Sequence, residues 1–192
     1  MIVVAVIGLL SAAVVPAISS VSGADARRSA GELAGSLRYL FDTAALRHAT
    51  CRMALDLGEQ TFSAECAPGV AGVVKDPDRA AKAADDELLA ERFPDERDAE
   101  RRRLLARTRF GAYTDRLLKP SKLRGSTAIR SVRVEGRDHP LTEGMAYVHF
   151  FPSGQAERAF VELADGDAVY TVVVEPFTGR TKVVSGKVEG DR

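Results

Sequence analysis

The chain has 192 residues, of which 45% are hydrophobic, and its 27 basic and 27 acidic side chains leave no formal net charge. This length suits a membrane anchor plus one domain of ordinary size, and the zero net charge gives no overall attraction to nucleic acid or to an acidic membrane surface. The two cysteines, Cys51 and Cys66, suit one disulfide in an oxidising compartment or, in a cytosolic protein, two buried thiols.

The N-terminal stretch MIVVAVIGLLSAAVVPAISSVS carries no charged side chain, and the first charge is Asp25. A helix needs about 20 apolar residues to cross a bilayer core of roughly 30 Å, so we predict a membrane helix over residues 1–24. Pro16 is tolerated better in such a helix than in water. Two alternatives are a secretory signal cleaved near Ala24-Asp25-Ala26 and a buried core helix. No Lys or Arg precedes the apolar run, which counts against the signal.

Residues 25–50 predict an amphipathic continuation of this helix. Apolar side chains recur at helical spacing and no proline interrupts them. We expect one face to pack on a β-rich domain formed by residues 51–192, through Leu33, Leu37, Leu40 and Phe41.

Residues 51–66, CRMALDLGEQTFSAEC, predict a β-hairpin. Alternating apolar residues indicate a half-buried strand, and Gly58-Glu59 can form a two-residue turn with glycine first. Leu55 then faces Phe62 and Cys51 faces Cys66, with Cα atoms about 5.5 Å apart if they form a hydrogen-bonded pair. We therefore predict a Cys51–Cys66 disulfide, with two buried thiols as the alternative.

Two segments are rich in charge. Residues 75–109 hold ten positive and ten negative side chains among 35 residues, which predicts a helical insertion with an ion-paired, solvated surface. Residues 116–137 hold seven positive charges and one negative charge. Such a patch can contact phosphates, lipid headgroups or acidic partners, although exposed loops and strands often carry basic residues. The candidate contacts for an anionic ligand are Arg116, Lys119, Lys122, Arg124, Arg180 and Lys182.

From Ala128 onward, short apolar runs separated by turn signals predict antiparallel β-structure. Asp165-Gly166 is a strong hairpin signal, and strands are expected over residues 145–151, 158–164, 168–175 and 180–188. One long helix followed by regular strands and turns predicts an α+β fold with antiparallel sheets.

Two parts of the sequence resemble a known family. The run from Met1 to Ala12 followed by Pro16 is similar to the N-terminal helix of type IV pilins and type II secretion pseudopilins. Phe150-Phe151-Pro152-Ser153-Gly154 and Pro176-Phe177-Thr178-Gly179-Arg180 resemble turns of the GspH/FimT pseudopilin family. The filament and membrane residues implied are Met1, Val4, Ile7, Gly8, Leu10 and Pro16, and the motif turns carry Phe150, Pro152, Gly154, Pro176, Gly179 and Arg180.

The resemblance implies a pilin-like minor pseudopilin of the H type. Such a subunit would be a single-pass protein of the bacterial inner membrane with its C-terminal domain in the periplasm. It would join I-, J- and K-type and major pseudopilins through its N-terminal helix to initiate or cap a filament that drives secretion. Prepilin peptidase is a further expected partner if the true start lies upstream of Met1. The alternative within the family is a minor type IV pilin that binds DNA during natural transformation.

No signature of catalysis is apparent in the sequence. It lacks H-E-x-x-H, G-x-S-x-G and a glycine-rich phosphate loop, and His48, His139 and His149 are scattered with no carboxylate at ligand spacing. We therefore expect neither an enzyme nor a cofactor or metal site.

Overall fold

A computed structural model describes residues 23–69 and 109–188 of the chain. In these residues one helix, α1 (Ala24–Arg47), packs against two antiparallel sheets, which is the predicted α+β class. The predicted membrane helix over 1–24 and the predicted insertion over 75–109 lie outside the described residues, apart from Gly23, Ala24 and Arg109. No helix in the described part of the chain is long and apolar enough to cross a membrane.

Helix α1 forms because alanine and leucine, which are not β-branched, recur at helical spacing along one face. That face is buried, and besides Ser29 and Thr43 it consists of the apolar residues Ala26, Ala30, Leu33, Ala34, Leu37, Leu40 and Ala44. The helix ends at Arg47, three residues before the predicted end. His48 takes the left-handed conformation (φ 49°, ψ 42°) and its N–H bonds back to the last turn, so strand pairing begins at Ala49.

The first sheet has the order β3-β2-β1-β6-β7, and β4 pairs with the remaining length of β2. Its strands are β1 (Ala49–Asp56), β2 (Thr61–Pro68), β3 (Gly111–Tyr113), β4 (Ser121–Lys122), β6 (Met145–Phe151) and β7 (Gln155–Ala156). The second sheet has the order β10-β9-β8-β5. Its strands are β5 (Ala128–Val134), β8 (Ala159–Asp165), β9 (Ala168–Val174) and β10 (Thr181–Ser185).

The hairpin of β1 and β2 has the predicted register but a different turn. Leu55 pairs with Phe62 and Cys51 with Cys66. The loop has four residues, because Asp56 Oδ1 accepts the N–H groups of Gly58 and Glu59 at 2.9 Å. The positive φ falls on Gln60 (57°) instead of Gly58, so the predicted two-residue turn is wrong.

Cys51 and Cys66 form a disulfide. Their Cα atoms are 4.0 Å apart, closer to the roughly 4.5 Å of a non-hydrogen-bonded strand pair than to the 5.5 Å considered from the sequence. Cys51 is fully buried in the hydrophobic core, and Cys66 is partly buried against that core.

The hydrophobic core lies between the helix and the inner faces of both sheets. Contacts with α1 come from β1, β2 and β6 of the first sheet and from β8, β9 and β10 of the second. The largest fully buried side chains are Leu33, Leu37, Leu40, Met53, Leu55, Val132, Val148, Phe150, Val161, Leu163, Val172 and Val174. One helix therefore joins two sheets into a common core.

The last strand is shorter than the predicted 180–188. β10 ends at Ser185, and Gly186 follows with φ +89°. The chain then stays close to the second sheet, since Gly186 O accepts from Thr171 Oγ1 at 2.8 Å and Val188 O accepts from Arg133 Nη2 at 3.2 Å. Gly186 and Val188 therefore accept bonds from side chains beyond the end of β10, and the apolar alternation in the sequence does not reveal these bonds.

Candidate functional site

The two motif turns meet at one residue of the helix, Phe41. The ring of Phe41 contacts the buried Phe150 ring edge to face, with centroids 6.4 Å apart. It also lies directly against Gly179, where an added Cβ would overlap the ring. Gly179 has φ +56°, so both its backbone conformation and the close contact require glycine.

Backbone hydrogen bonds join the two motif turns to each other. Gly154, with φ +76°, closes the first turn by donating to Phe151 O at 3.1 Å, and the chain continues into β7. Ala156 N–H then donates to Pro176 O at 2.7 Å, in the second turn. This bond joins Ala156 to Pro176, which are 20 positions apart in sequence, so the two turns are held together beside Phe41.

The second turn is also bonded directly to the helix. Arg38 Nη1 donates to Thr178 O at 2.7 Å, and Thr181 Oγ1 donates to Ala34 O at 3.0 Å. Arg38 further contacts the face of Phe41, with 5.4 Å from the guanidinium carbon to the ring centroid. These contacts hold one flank of α1.

The opposite flank of α1 is held by the loop that follows β3. Asp115 Oδ2 accepts from Tyr39 Oη at 2.8 Å and from Tyr113 Oη at 3.2 Å. Its other oxygen accepts the backbone N–H groups of Leu117 and Leu118 at 2.7 and 2.9 Å. One carboxylate thereby folds its own loop and attaches that loop to the helix.

These contacts shift the ionisation of the three groups. Desolvation by burial would raise the pKa of Asp115, but the hydrogen bonds that it accepts from Leu117, Tyr39, Leu118 and Tyr113 outweigh it, so the pKa lies below its ordinary value. The hydrogen bond to Asp115 raises the pKa of Tyr39. Burial, followed by the bond to Asp115, raises the pKa of Tyr113.

Further along the same flank, the loop before β5 is bonded to the first half of the helix. Arg124 N–H donates to Ser29 Oγ at 3.2 Å, and the Arg124 guanidinium pairs with Glu32 at 3.3 Å. We call the contacts on both flanks, together with the buried Leu33, Leu37 and Leu40 below the helix, the helix-docking site.

The basic residues singled out from the sequence fall into two groups separated by the helix. Arg116, Lys119, Lys122 and Arg124 lie on or beside the loops of the Asp115 flank, whereas Arg180 and Lys182 lie on the Thr178 flank. Arg124 is paired with Glu32, and Lys182 with Glu175, both at 3.3 Å. The six residues therefore do not form one anion-binding patch in the described structure.

The outer face of the first sheet carries a cluster that the sequence analysis did not identify. The guanidinium of Arg52 lies between the rings of Phe110 and Tyr147, 4.2 and 4.0 Å from their centroids, and pairs with Glu65 at 2.7 Å. Arg52 is opposite Glu65 on β2 and opposite His149 on β6. The signal available in the sequence was a polar or small residue at every second position of β1, but the partners of Arg52 depend on the pairing of distant strands.

His149 also has a carboxylate partner, contrary to the expectation from spacing. Its Nδ1 lies 2.7 Å from Glu157 Oε2, and both side chains are about nine-tenths buried. The chain folds back after β6 through β7, which brings Glu157 beside His149 even though they are eight residues apart. In the described residues, no three His, Cys, Asp or Glu side chains are grouped as a metal ion would require.

Comparisons of the chain with protein-family models, with curated proteins and with solved structures found no match.

Proposed function

We propose that this protein is a structural subunit of a type II secretion pseudopilus, a minor pseudopilin of the H type. In this proposal residues 1–24 hold the subunit in the bacterial inner membrane and then pack among the N-terminal helices of other pseudopilins. The two-sheet domain lies in the periplasm, where it would initiate or cap the filament.

The observation that supports this proposal best is the way in which α1 is held. The helix begins directly after the uncharged run and is attached to the domain on three sides, by the helix-docking site, over most of its length. A force applied to the apolar segment would thus reach both sheets through one rigid element. A subunit that is drawn from a membrane into a filament needs this kind of connection.

The remaining face of α1 supports packing against other helices. On this face Arg28, Gly31, Gly35 and Leu46 are exposed. At both glycines an added Cβ would meet no atom within 4 Å, so the domain itself does not require small residues there. This leaves a face on which a neighbouring subunit can approach closely.

The DNA-binding alternative has less support. Its candidate residues are divided between the two flanks of α1, and two of them are already ion-paired. Binding through phosphates weakens steeply with salt when several cations act together. We therefore expect the full chain in mild detergent to show no salt-sensitive binding to duplex DNA, and tight binding at low salt that falls steeply with added salt would instead support a pilin of the transformation type.

Co-purification from the native host tests the proposed function. We expect I-, J- and K-type pseudopilins to be recovered with the full chain after extraction in mild detergent. A Gly35→Leu variant should lose them, whereas a Gly111→Leu variant should keep them, since an added Cβ at Gly111 also meets no atom and Gly111 is on an edge strand instead of on α1. If no pseudopilin is recovered with the unaltered chain, the proposal is wrong.

A further inference from the structure

The four sheet edges in the described structure are covered to different extents. The edge of the first sheet beside β2 is divided between two short strands, β3 and β4, and at the opposite edge the two-residue β7 covers only Phe150 and Phe151 of β6. In the second sheet, the edge strand β5 is paired with Leu141, which exchanges both hydrogen bonds with Val132 at 2.8 Å. Short strands and covering loops are the usual protection against unwanted strand pairing.

The fourth edge, β10, is open in the described structure. Its residues 182, 184 and 186 bond to β9, as shown by the continuous register and by the bonds from Glu175 N to Arg180 O and from Gly186 N to Val169 O. Because antiparallel strands alternate, the N–H and C=O groups of Thr181, Val183 and Ser185 point away from β9. None of these groups has a backbone partner among the described residues.

This edge is apolar as well as open. Val183 and Val184 are 39% and 37% exposed, although both are in a strand of a sheet whose other valines are mostly buried. Val183 is on the core face, opposite the buried Val172, at the border of the hydrophobic core. An added strand would cover Val183 and extend that core.

The charges beside β10 are mostly positive. Arg180 and Lys182 are at its start and Lys187 follows its end, and all three side chains are exposed. Glu175 is the neighbouring acid, and it is paired with Lys182 at 3.3 Å. In the described structure Arg180 and Lys187 form no ion pair, so an incoming strand that carries carboxylates would gain contacts that a basic strand would not.

We propose that the edge of β10 binds an extended acidic segment of a partner protein as an additional antiparallel strand. The main-chain groups of Thr181, Val183 and Ser185 supply the hydrogen bonds, Val183 supplies the apolar contact, and Arg180, Lys182 and Lys187 select acidic side chains. A second copy of this chain fits less well, because an antiparallel β10 would bring the same three cations close to one another.

The test uses the full chain in mild detergent and a fluorescently labelled, acetylated peptide of alternating valine and glutamate. We expect saturable binding by fluorescence anisotropy, and we expect the peptide to slow amide hydrogen exchange at Val183 and Ser185. Lys182 and Val184 already donate to β9, so their exchange should change little. Absence of binding, or slowing confined to other strands, would overturn the proposal.

Two variants separate the contributions of backbone and charge. Val183→Pro removes one outward N–H and should weaken peptide binding about tenfold, whereas Val184→Ala leaves every outward group in place and should change it less than twofold. If Val183→Pro does not fold, Lys182→Glu remains informative, since it should weaken binding of the valine–glutamate peptide and strengthen binding of a valine–lysine peptide. An unchanged preference for the acidic peptide would contradict the assigned role of the cations.

Sedimentation of the protein without peptide tests whether the edge of β10 binds a second copy of the chain instead. If the chain self-associates with increasing concentration and Val183→Pro abolishes that association, the edge binds a second copy and the acidic-strand proposal is wrong. Because these measurements use only this chain and a peptide, their outcome is independent of co-purification with pseudopilins.

Discussion

At the residue scale, Gly179 and Asp115 position the helix from opposite sides. Gly179 lets the turn before β10 reach the face of the Phe41 ring, and it does so in a conformation that side chains disfavour. Asp115 accepts four hydrogen bonds, two from its own loop and two from tyrosine hydroxyls. A side chain at position 179 would clash with Phe41, and a residue without a carboxylate at position 115 could not accept all four hydrogen bonds.

Gly179→Ala should destabilise the domain by about 2–5 kcal/mol. The left-handed conformation costs a side chain about 1–2 kcal/mol, and displacing the Phe41 ring adds an overpacking cost of about 1–3 kcal/mol. Chemical denaturation of the full chain in detergent measures the change. Gly166→Ala is the matched control, because Gly166 has φ +57° but no atom within 4 Å of an added Cβ. Equal losses for the two variants would show that the Phe41 contact is unimportant.

Asp115→Asn should lower the melting temperature at pH 6, and the difference from the unaltered chain should vanish in acid. The pKa of Asp115 is lowered in the folded state, so its stabilisation is complete above the unfolded pKa of about 3.9 and is lost as the pH falls through the lower folded value. Melting curves between pH 2 and 7 measure this. A difference that is independent of pH would mean that the ionised carboxylate is not what holds the loop.

At the scale of elements, the helix and the hairpin of β1 and β2 are the parts that local sequence determines best. Leu33, Leu37 and Leu40 recur at helical spacing and are fully buried, and alternation along residues 51–57 gives the strand register that brings the cysteines together. The predicted two-residue turn is wrong because the Asp56 side chain closes a four-residue loop by accepting the N–H groups of Gly58 and Glu59.

Most contacts between elements could not be predicted from local sequence patterns. The Arg52 cluster requires β1 to lie between β2 and β6 and requires Phe110 to return beside them, and no periodicity encodes that arrangement. Phe41 likewise contacts Phe150 and Gly179, which both lie more than 100 positions further along the chain. The sequence analysis singles out Phe41, Phe150 and Gly179 one by one, but it does not show that they meet, and it does not identify the Arg52 cluster.

Leu37→Ala should cost about 2–5 kcal/mol of unfolding free energy, because it leaves a cavity between the helix and the sheets. Leu46→Ala is the matched control on the same helix. Leu46 is 81% exposed, so its truncation should change stability by less than about 0.5 kcal/mol. Denaturant unfolding of both variants checks the prediction, and a large effect at Leu46 with a small one at Leu37 would mean that the helix docks through its other face.

The Cys51→Ala/Cys66→Ala double variant should lose about 3 kcal/mol of stability, the expected value for a bridge that closes a loop of about 15 residues. Denaturant unfolding with and without a reducing agent measures this, and reduction of the unaltered chain should give a similar loss. If the unaltered chain contains two free thiols after purification from an oxidising compartment, the bridge does not form in the protein.

At the scale of the whole molecule, α1 is the element on which both sheets depend. The first sheet contacts it through β1, β2 and β6, and the second through β8, β9 and β10. The loops on its two flanks then hold it at Asp115, Arg124, Thr178 and Gly179. This architecture suits a domain carried by its N-terminal helix, which is the central claim of the proposed function.

The state of residues 1–22 in the native host tests that claim most directly. Protein extracted from the host should be found in the membrane fraction, and mass spectrometry should detect peptides from Met1 to Ser22 still joined to the domain. A mature N-terminus near Asp25 or Ala26, on protein recovered from the soluble periplasmic fraction, would mean that the apolar segment is a cleaved signal and would contradict the filament proposal.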